Sequence, residues 1–141
     1  MLILNTLAQA AVKPFSQPIN QKTHAVLDYA NVGLFLLAAG IFWKRSKRAA
    51  AGALVGAGAA LTINLLTDYP GGLKKRITFN RHREIDFGLA ALAATLPDFL
   101  TFKDDPEHKF FLAEGVLISA LTNLTKGGKT RRAERNNSRA A

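Results

Sequence analysis

From Ala49 to Thr67 the chain runs without one charged side chain, and from Ala25 to Trp43 it carries only Asp28. Crossing the hydrocarbon of a bilayer takes about 20 mostly apolar residues in a helix. A helix of a water-soluble bundle shows a polar face at 3.6-residue spacing, and Leu34–Trp43 and Ala49–Leu61 have none. The expected fold is all-α: a polytopic membrane protein, a four-transmembrane-helix bundle made of two repeated helical hairpins. The spans are expected at about 25–43, 49–67, 85–102 and 108–126.

The punctuation between these stretches fits that division. Lys44, Arg45, Lys47 and Arg48 stop the first, and Asp68-Tyr69-Pro70-Gly71-Gly72 closes the second with strong breakers. The acidic turn Lys103-Asp104-Asp105-Pro106-Glu107 divides the third from the fourth, whose apolar part is short and borrows polar residues at its ends. Gly52 and Gly56, with Gly58 beside them, have the small-residue spacing that lets helix backbones approach closely in lipid.

Charge then sets the orientation. The formal net charge is +9, yet mean hydropathy is only +0.06, because the charges cluster and leave apolar windows between them. Lys and Arg accumulate in cytoplasmic loops. Thirteen of the 19 fall on the side of the N-terminal segment, the second loop and the tail, against six on the other. Both termini are expected in the cytoplasm, with the protein multi-pass in the cell membrane. Basic residues that flank spans have this use already and form no stripe interleaved with aromatics, so nucleic acid is not an expected partner. The bilayer is the first partner, with anionic lipids at the basic loops and tail and other membrane subunits or further copies of the chain at the small-residue faces.

The absence of cysteine excludes disulfides, thiolate metal sites and cysteine nucleophiles. Residues 1–22 read as a cytoplasmic segment with an interfacial helix on Leu2, Ile3, Leu4, Leu7 and Val12, since no basic region precedes the apolar stretch as in a signal peptide. The four helices occupy 23–126, and 127–141 reads as a basic disordered tail.

The two halves echo each other. His24-Ala25-Val26-Leu27-Asp28-Tyr29 opens the first span as His82-Arg83-Glu84-Ile85-Asp86-Phe87 opens the third. In the same register Leu65-Leu66-Thr67 matches Asn123-Leu124-Thr125. With Asp28-Tyr29, Leu66-Thr67-Asp68-Tyr69, and His82 with Asp86, the stretch from Thr23 to Phe102 resembles the small bacterial membrane proteins called SPW-repeat proteins. The tripeptide that names them is absent, with Pro97 alone kept in Leu96-Pro97-Asp98-Phe99. The resemblance implies a two-hairpin fold and brings no established activity with it.

Residues four apart share a helix face. His24, Asp28 and Asn31 therefore form one stripe, as do Asn64 with Asp68 and His82 with Asp86. An even number of crossings separates them, so all lie at the cytoplasmic ends, where Asn123 joins them. Three uses are open. The groups can bond across helices and to Arg76, Arg81 and Arg83 as a structural cluster. His24, Asp28, His82 and Asp86 can bind a divalent metal such as zinc, two ligands from each of two helices. Or the cluster can handle a proton or small ligand, the default for ionisable groups inside spans. Asp98 and Glu114 are expected together toward the outer side, as intramembrane acids that could end a proton path. No phosphate loop or nucleophile arrangement appears, so the leading expectation is a non-enzymatic accessory, scaffold or oligomer-forming subunit. The alternatives are a proton or metal-ion transporter and a haem-binding or enzymatic protein using His24 and His82.

Overall fold

A computed structural model describes residues 17–127. The expected interfacial helix and all but the first residue of the basic tail lie outside the described residues. Among those described, the chain is an all-α four-helix bundle with no sheet: α1 (Gln21–Phe42), α2 (Lys47–Leu66), α3 (Phe79–Phe99) and α4 (His108–Asn123). Each of the first three helices starts on a capping side chain that accepts a backbone N–H three residues on. Asn20 accepts from Thr23 at 2.8 Å, Ser46 from Ala49 at 3.2 Å and Thr78 from Arg81 at 3.3 Å.

The third helix starts earlier than expected, at its Thr78 cap, and ends earlier, at Phe99. Its end is a Schellman motif: Phe102 N–H bonds to Pro97 O at 2.9 Å and Thr101 N–H to Asp98 O at 3.3 Å. Thr101, at φ 56°, occupies the left-handed position that glycine usually fills. Arg48 holds it from the other hairpin, donating to Thr101 Oγ1 at 2.6 Å. Beside it Arg45 pairs with the buried Glu107 at 3.2 Å, so the two hairpin loops at this end are tied to each other.

α1 and α2 form one close-packed hairpin, α3 and α4 the other, and α2 lies against α3. The shared core is mainly alanine, including Ala49, Ala53, Ala57, Ala90 and Ala93, filled in by Phe35, Phe102 and Phe111. The small faces of α2 are used inside the chain. A Cβ at Gly56 would sit 2.6 Å from Phe35 Cε1, and one at Gly52 would sit 3.2 Å from Phe111 Cζ.

At the opposite end from the two hairpin loops, the halves repeat with a shift of 58 positions (24 to 82, 67 to 125). Ile19 N–H bonds to Leu124 O at 3.2 Å and Lys126 N–H to Ile19 O at 2.9 Å. Fifty-eight positions on, Ile77 N–H bonds to Leu66 O at 2.8 Å and Asp68 N–H to Ile77 O at 2.8 Å. These two isolated parallel bridges cross over: each joins the lead-in of one half to the exit of the other. Between them the turn after α2 needs its glycines. Gly71 has φ +93°, and a Cβ at Gly72 would lie 1.8 Å from the carbonyl oxygen of Thr67. Replacing Gly72 with alanine is expected to lower stability by about 1–3 kcal/mol, the usual cost of overpacking, as read by thermal unfolding in detergent.

Two helices, α1 and α2, are long and apolar enough to cross a membrane. α3 carries Arg81, Arg83, Glu84 and Asp86 in its first turns, and α4 has only 16 residues, so neither passes the same test of length and hydropathy.

Candidate metal centre

Because Asn20 and Thr78 cap α1 and α3 in the same way, His24 and His82 arrive at the same place in each helix, inside the first turn. One turn later Asp28 and Asp86 lie on the same faces. The four side chains close a ring in which each imidazole faces both carboxylates. His24 Nε2 is 3.3 Å from Asp28 Oδ1 and 3.2 Å from Asp86 Oδ2. His82 Nε2 is 2.9 Å from Asp28 Oδ2 and 3.3 Å from Asp86 Oδ1. The ligating atoms all lie within 4.8 Å of one another. His24, His82 and Asp86 are buried and Asp28 is half-buried.

Hydrogen-bond accounting on the far side of each ring decides where the imidazole hydrogens are. Thr67 Oγ1 donates to Ile63 O at 2.6 Å and lies 2.7 Å from His82 Nδ1. Thr125 Oγ1 donates to Leu121 O at 2.5 Å and lies 2.7 Å from His24 Nδ1. A hydroxyl has one hydrogen. With it committed to the helix carbonyl, each threonine accepts from the ring, so both imidazoles carry N–H at Nδ1. Both Nε2 atoms then turn toward the carboxylates. In a neutral ring that is a lone pair facing anionic oxygens, an arrangement that calls for positive charge in the middle.

The carboxylates are supported in turn. Tyr69 donates its hydroxyl to Asp28 Oδ2 at 3.1 Å, and Thr122 donates to Asp86 Oδ2 at 3.1 Å. Burial, and after it the charge of Asp28, pushes the Tyr69 phenol up, which keeps it a donor. Phe79 stacks on His82 with ring centroids 6.2 Å apart and packs edge-on to His24 at 5.4 Å. Histidines bound to metals commonly have the ring nitrogen opposite the metal held by an oxygen, which fixes tautomer and orientation. His24 and His82 both have that arrangement. The His–Asp separations run from 2.9 to 3.3 Å, with each carboxylate meeting the two imidazoles through different oxygens, and one ligand atom from each of the four residues falls within 4.8 Å of the others. Among the described residues, this cluster is therefore able to coordinate a metal ion.

No family model, curated protein or solved structure matches the chain.

The remaining residues expected at the site divide. Asn31 and Asn64 are buried and border a small cavity below the carboxylates. Asp68 does not join them. α2 ends at Leu66 and Thr67 is extended (φ −88°, ψ 140°), so the helical register linking Asn64 to Asp68 is broken. Asp68 is exposed, 3.6 Å from Lys75 Nζ. Asn123 is exposed too, and the inward position on α4 belongs to Thr122. Of the three arginines expected to support the cluster, Arg83 donates to the carbonyl of Thr122 at 3.2 Å, whereas Arg81 pairs with Glu84 on the surface.

Asp98 and Glu114 have different surroundings. Asp98 is exposed in the last turn of α3, whereas Glu114 is buried near the middle of α4 beside Asn31. Haem does not fit between His24 and His82: the rings lie 5.4 Å apart at 82° and share the same two carboxylates, which leaves no slot for a macrocycle. Thr67, Thr125, Thr122 and Tyr69 are unexpected partners of the cluster, although the repeat register pairs Thr67 with Thr125.

Proposed function

We propose that this chain is a four-crossing membrane protein that holds a divalent metal ion, zinc-like in its ligand preference, between His24, Asp28, His82 and Asp86. The observation that carries the metal is the double commitment of the imidazoles: both Nδ1–H groups are taken by threonines, and both Nε2 atoms face two carboxylates. His82 Nε2 is buried 2.9 Å from Asp28 Oδ2, and His24 Nε2 lies 3.2 Å from Asp86 Oδ2, so the ring holds its two nitrogens against the carboxylates from opposite hairpins. Each hairpin contributes one histidine and one aspartate, so the ion joins the two halves. The role that fits is that of a small non-enzymatic accessory or scaffold subunit.

The membrane reading rests on where the apolar side chains are. Leu37 is 62% exposed on α1, Val55 48% on α2, Phe87 45% on α3 and Val116 71% on α4, while His24, His82, Asn31, Asn64 and Glu114 are buried. A bundle with apolar side chains outside and polar ones inside suits lipid as solvent. With both termini cytoplasmic, the metal lies near the inner surface, and the exposed Lys74, Lys75 and Arg76 face anionic headgroups there.

Metal analysis of the protein purified from the membrane fraction is the test. About one divalent ion per chain, retained through gel filtration and lost from the His82→Ala variant, is expected. A protein that holds no metal as isolated and takes up none from added Zn²⁺ would leave the ring to two imidazolium protons and remove the proposal. Transport is the second reading. It is favoured by Asn31 and Glu114, which extend the buried polar groups from the cluster toward the middle of the bundle. Metal-dependent flux in liposomes, lost in Glu114→Leu, is its measurement.

A further inference from the structure

The two halves match closely around the cluster but part company below it. Asn31 stands in the first half where Leu89 stands in the second, and Asn64 where Thr122 stands, each 58 positions apart (31 to 89, 64 to 122). The cavity lies at this break. It is bounded by Asp28 and Asp86 above, Asn31 and Asn64 on one side, and Leu89 and Ile118 on the other, with room for about one water molecule.

Two of its walls carry unsatisfied polar atoms. Asn31 Oδ1 and Asn64 Nδ2 have no hydrogen-bond partner, although Asn31 is only 5% exposed and Asn64 3%. A donor or acceptor left unpaired in a protein interior forfeits its hydration with nothing in return. Both residues line the cavity, and the atoms they leave without a partner are of opposite kind, a carbonyl oxygen on Asn31 and an amide nitrogen on Asn64. One acceptor and one donor thus border a water-sized space beneath the two carboxylates of the metal ring. The histidines do not line it, so the space opens on the ion from the aspartate side.

Building on the metal reading, we propose that the ion keeps one further coordination position, occupied by water, which faces this cavity and is held by Asn31 and Asn64. The water donates to Asn31 Oδ1 and accepts from Asn64 Nδ2 while its oxygen is bound to the metal, so both stranded groups are satisfied at once. Structural zinc sites are closed by four protein ligands, whereas an open position lets a metal exchange a small ligand. The site takes ligands of the size of water, hydroxide or a slim anion, with the Asn31→Leu89 break making it one-sided.

Cobalt(II) is the probe, because its visible d–d bands weaken as coordination rises from four to five. The purified full-length protein loaded with Co²⁺ is expected to give five-coordinate bands that shift on adding azide. Asn64→Leu is expected to bind the same amount of Co²⁺, with stronger four-coordinate bands and no azide response. Asn31→Leu, which copies the residue of the other half, gives the same result if Asn64→Leu folds poorly. Intense four-coordinate bands in the unmodified protein, indifferent to azide, would overturn the open position and leave the metal site standing. Failure to take up Co²⁺ at all would remove the metal reading and this inference with it.

Discussion

Replacing His82 with alanine is expected to abolish tight metal binding and to lower stability by about 3–5 kcal/mol, the range for leaving a buried charge, here that of the carboxylates, without its compensation. The reason is the ring. His82 Nε2 touches both carboxylates, so its loss leaves Asp28 and Asp86 to share His24 alone. Asp86 would keep Thr122 and Asp28 would keep Tyr69, but two neutral hydroxyl donors do not replace a cation between two anions. The missing ring also strips the stacking partner from Phe79 and leaves the hydroxyl of Thr67 facing a void. Thermal and denaturant unfolding in detergent, with and without chelator, separate the contributions. Chelation of the unmodified protein removes the ion alone; the variant removes the ion and strands a charge, so it should be the less stable of the two. Deleting Asp86 as well, in His82→Ala/Asp86→Ala, takes away one of the stranded charges and should recover part of the loss, giving a measurable coupling between the two positions. A variant that keeps its metal and loses less than about 1 kcal/mol, as a substitution away from such features does, would mean that the ring is neither a ligand set nor a coupled charge cluster.

What could be read from the sequence was set by period and repetition. The 3.6-residue period put His24 with Asp28 and His82 with Asp86, and the repeat implied that the two pairs converge at one end, as they do in the bundle. The limits came where the chain leaves the helix. Asp68 was assigned by helical spacing to a position one residue beyond a cap that is extended, so its side chain swings out to Lys75. Asn123 is expected at the cluster by its depth along α4, yet the face of α4 that meets Asp86 is set by rotation about the helix axis and belongs to Thr122. Thr67 and Thr125 were visible as a matched pair, but their role is to accept from imidazole while donating back to their own helix. That depends on a crossover between halves that no local pattern encodes. The end of α3 was hidden in a similar way, since Thr101 takes a backbone conformation that composition assigns to glycine.

Placing arginine at Val116 is expected to disrupt the protein if α4 lies in lipid, at a cost of about 2.5–3.5 kcal/mol for a charge at the middle of a span. In water the same change would sit within about 0.5 kcal/mol of neutral. The position separates the two cases cleanly, because Val116 is 71% exposed near the centre of His108–Asn123 and has little packing to lose. The fourth helix is also where the question is sharpest. Its 16 residues span about 24 Å, less than the roughly 30 Å of a bilayer core, so a crossing here requires local thinning or help from flanking residues. Asn123→Arg supplies the control. It is exposed at the end of the same helix, where a long side chain can reach the headgroups, and should insert and fold normally. Comparing the two variants for yield in the membrane fraction, and for unfolding after extraction, reads the depth of α4 directly. Equal behaviour of both would take α4 out of the bilayer. The ring would then have to be explained as the interior of a bundle only half embedded, with α1 and α2 as its anchor.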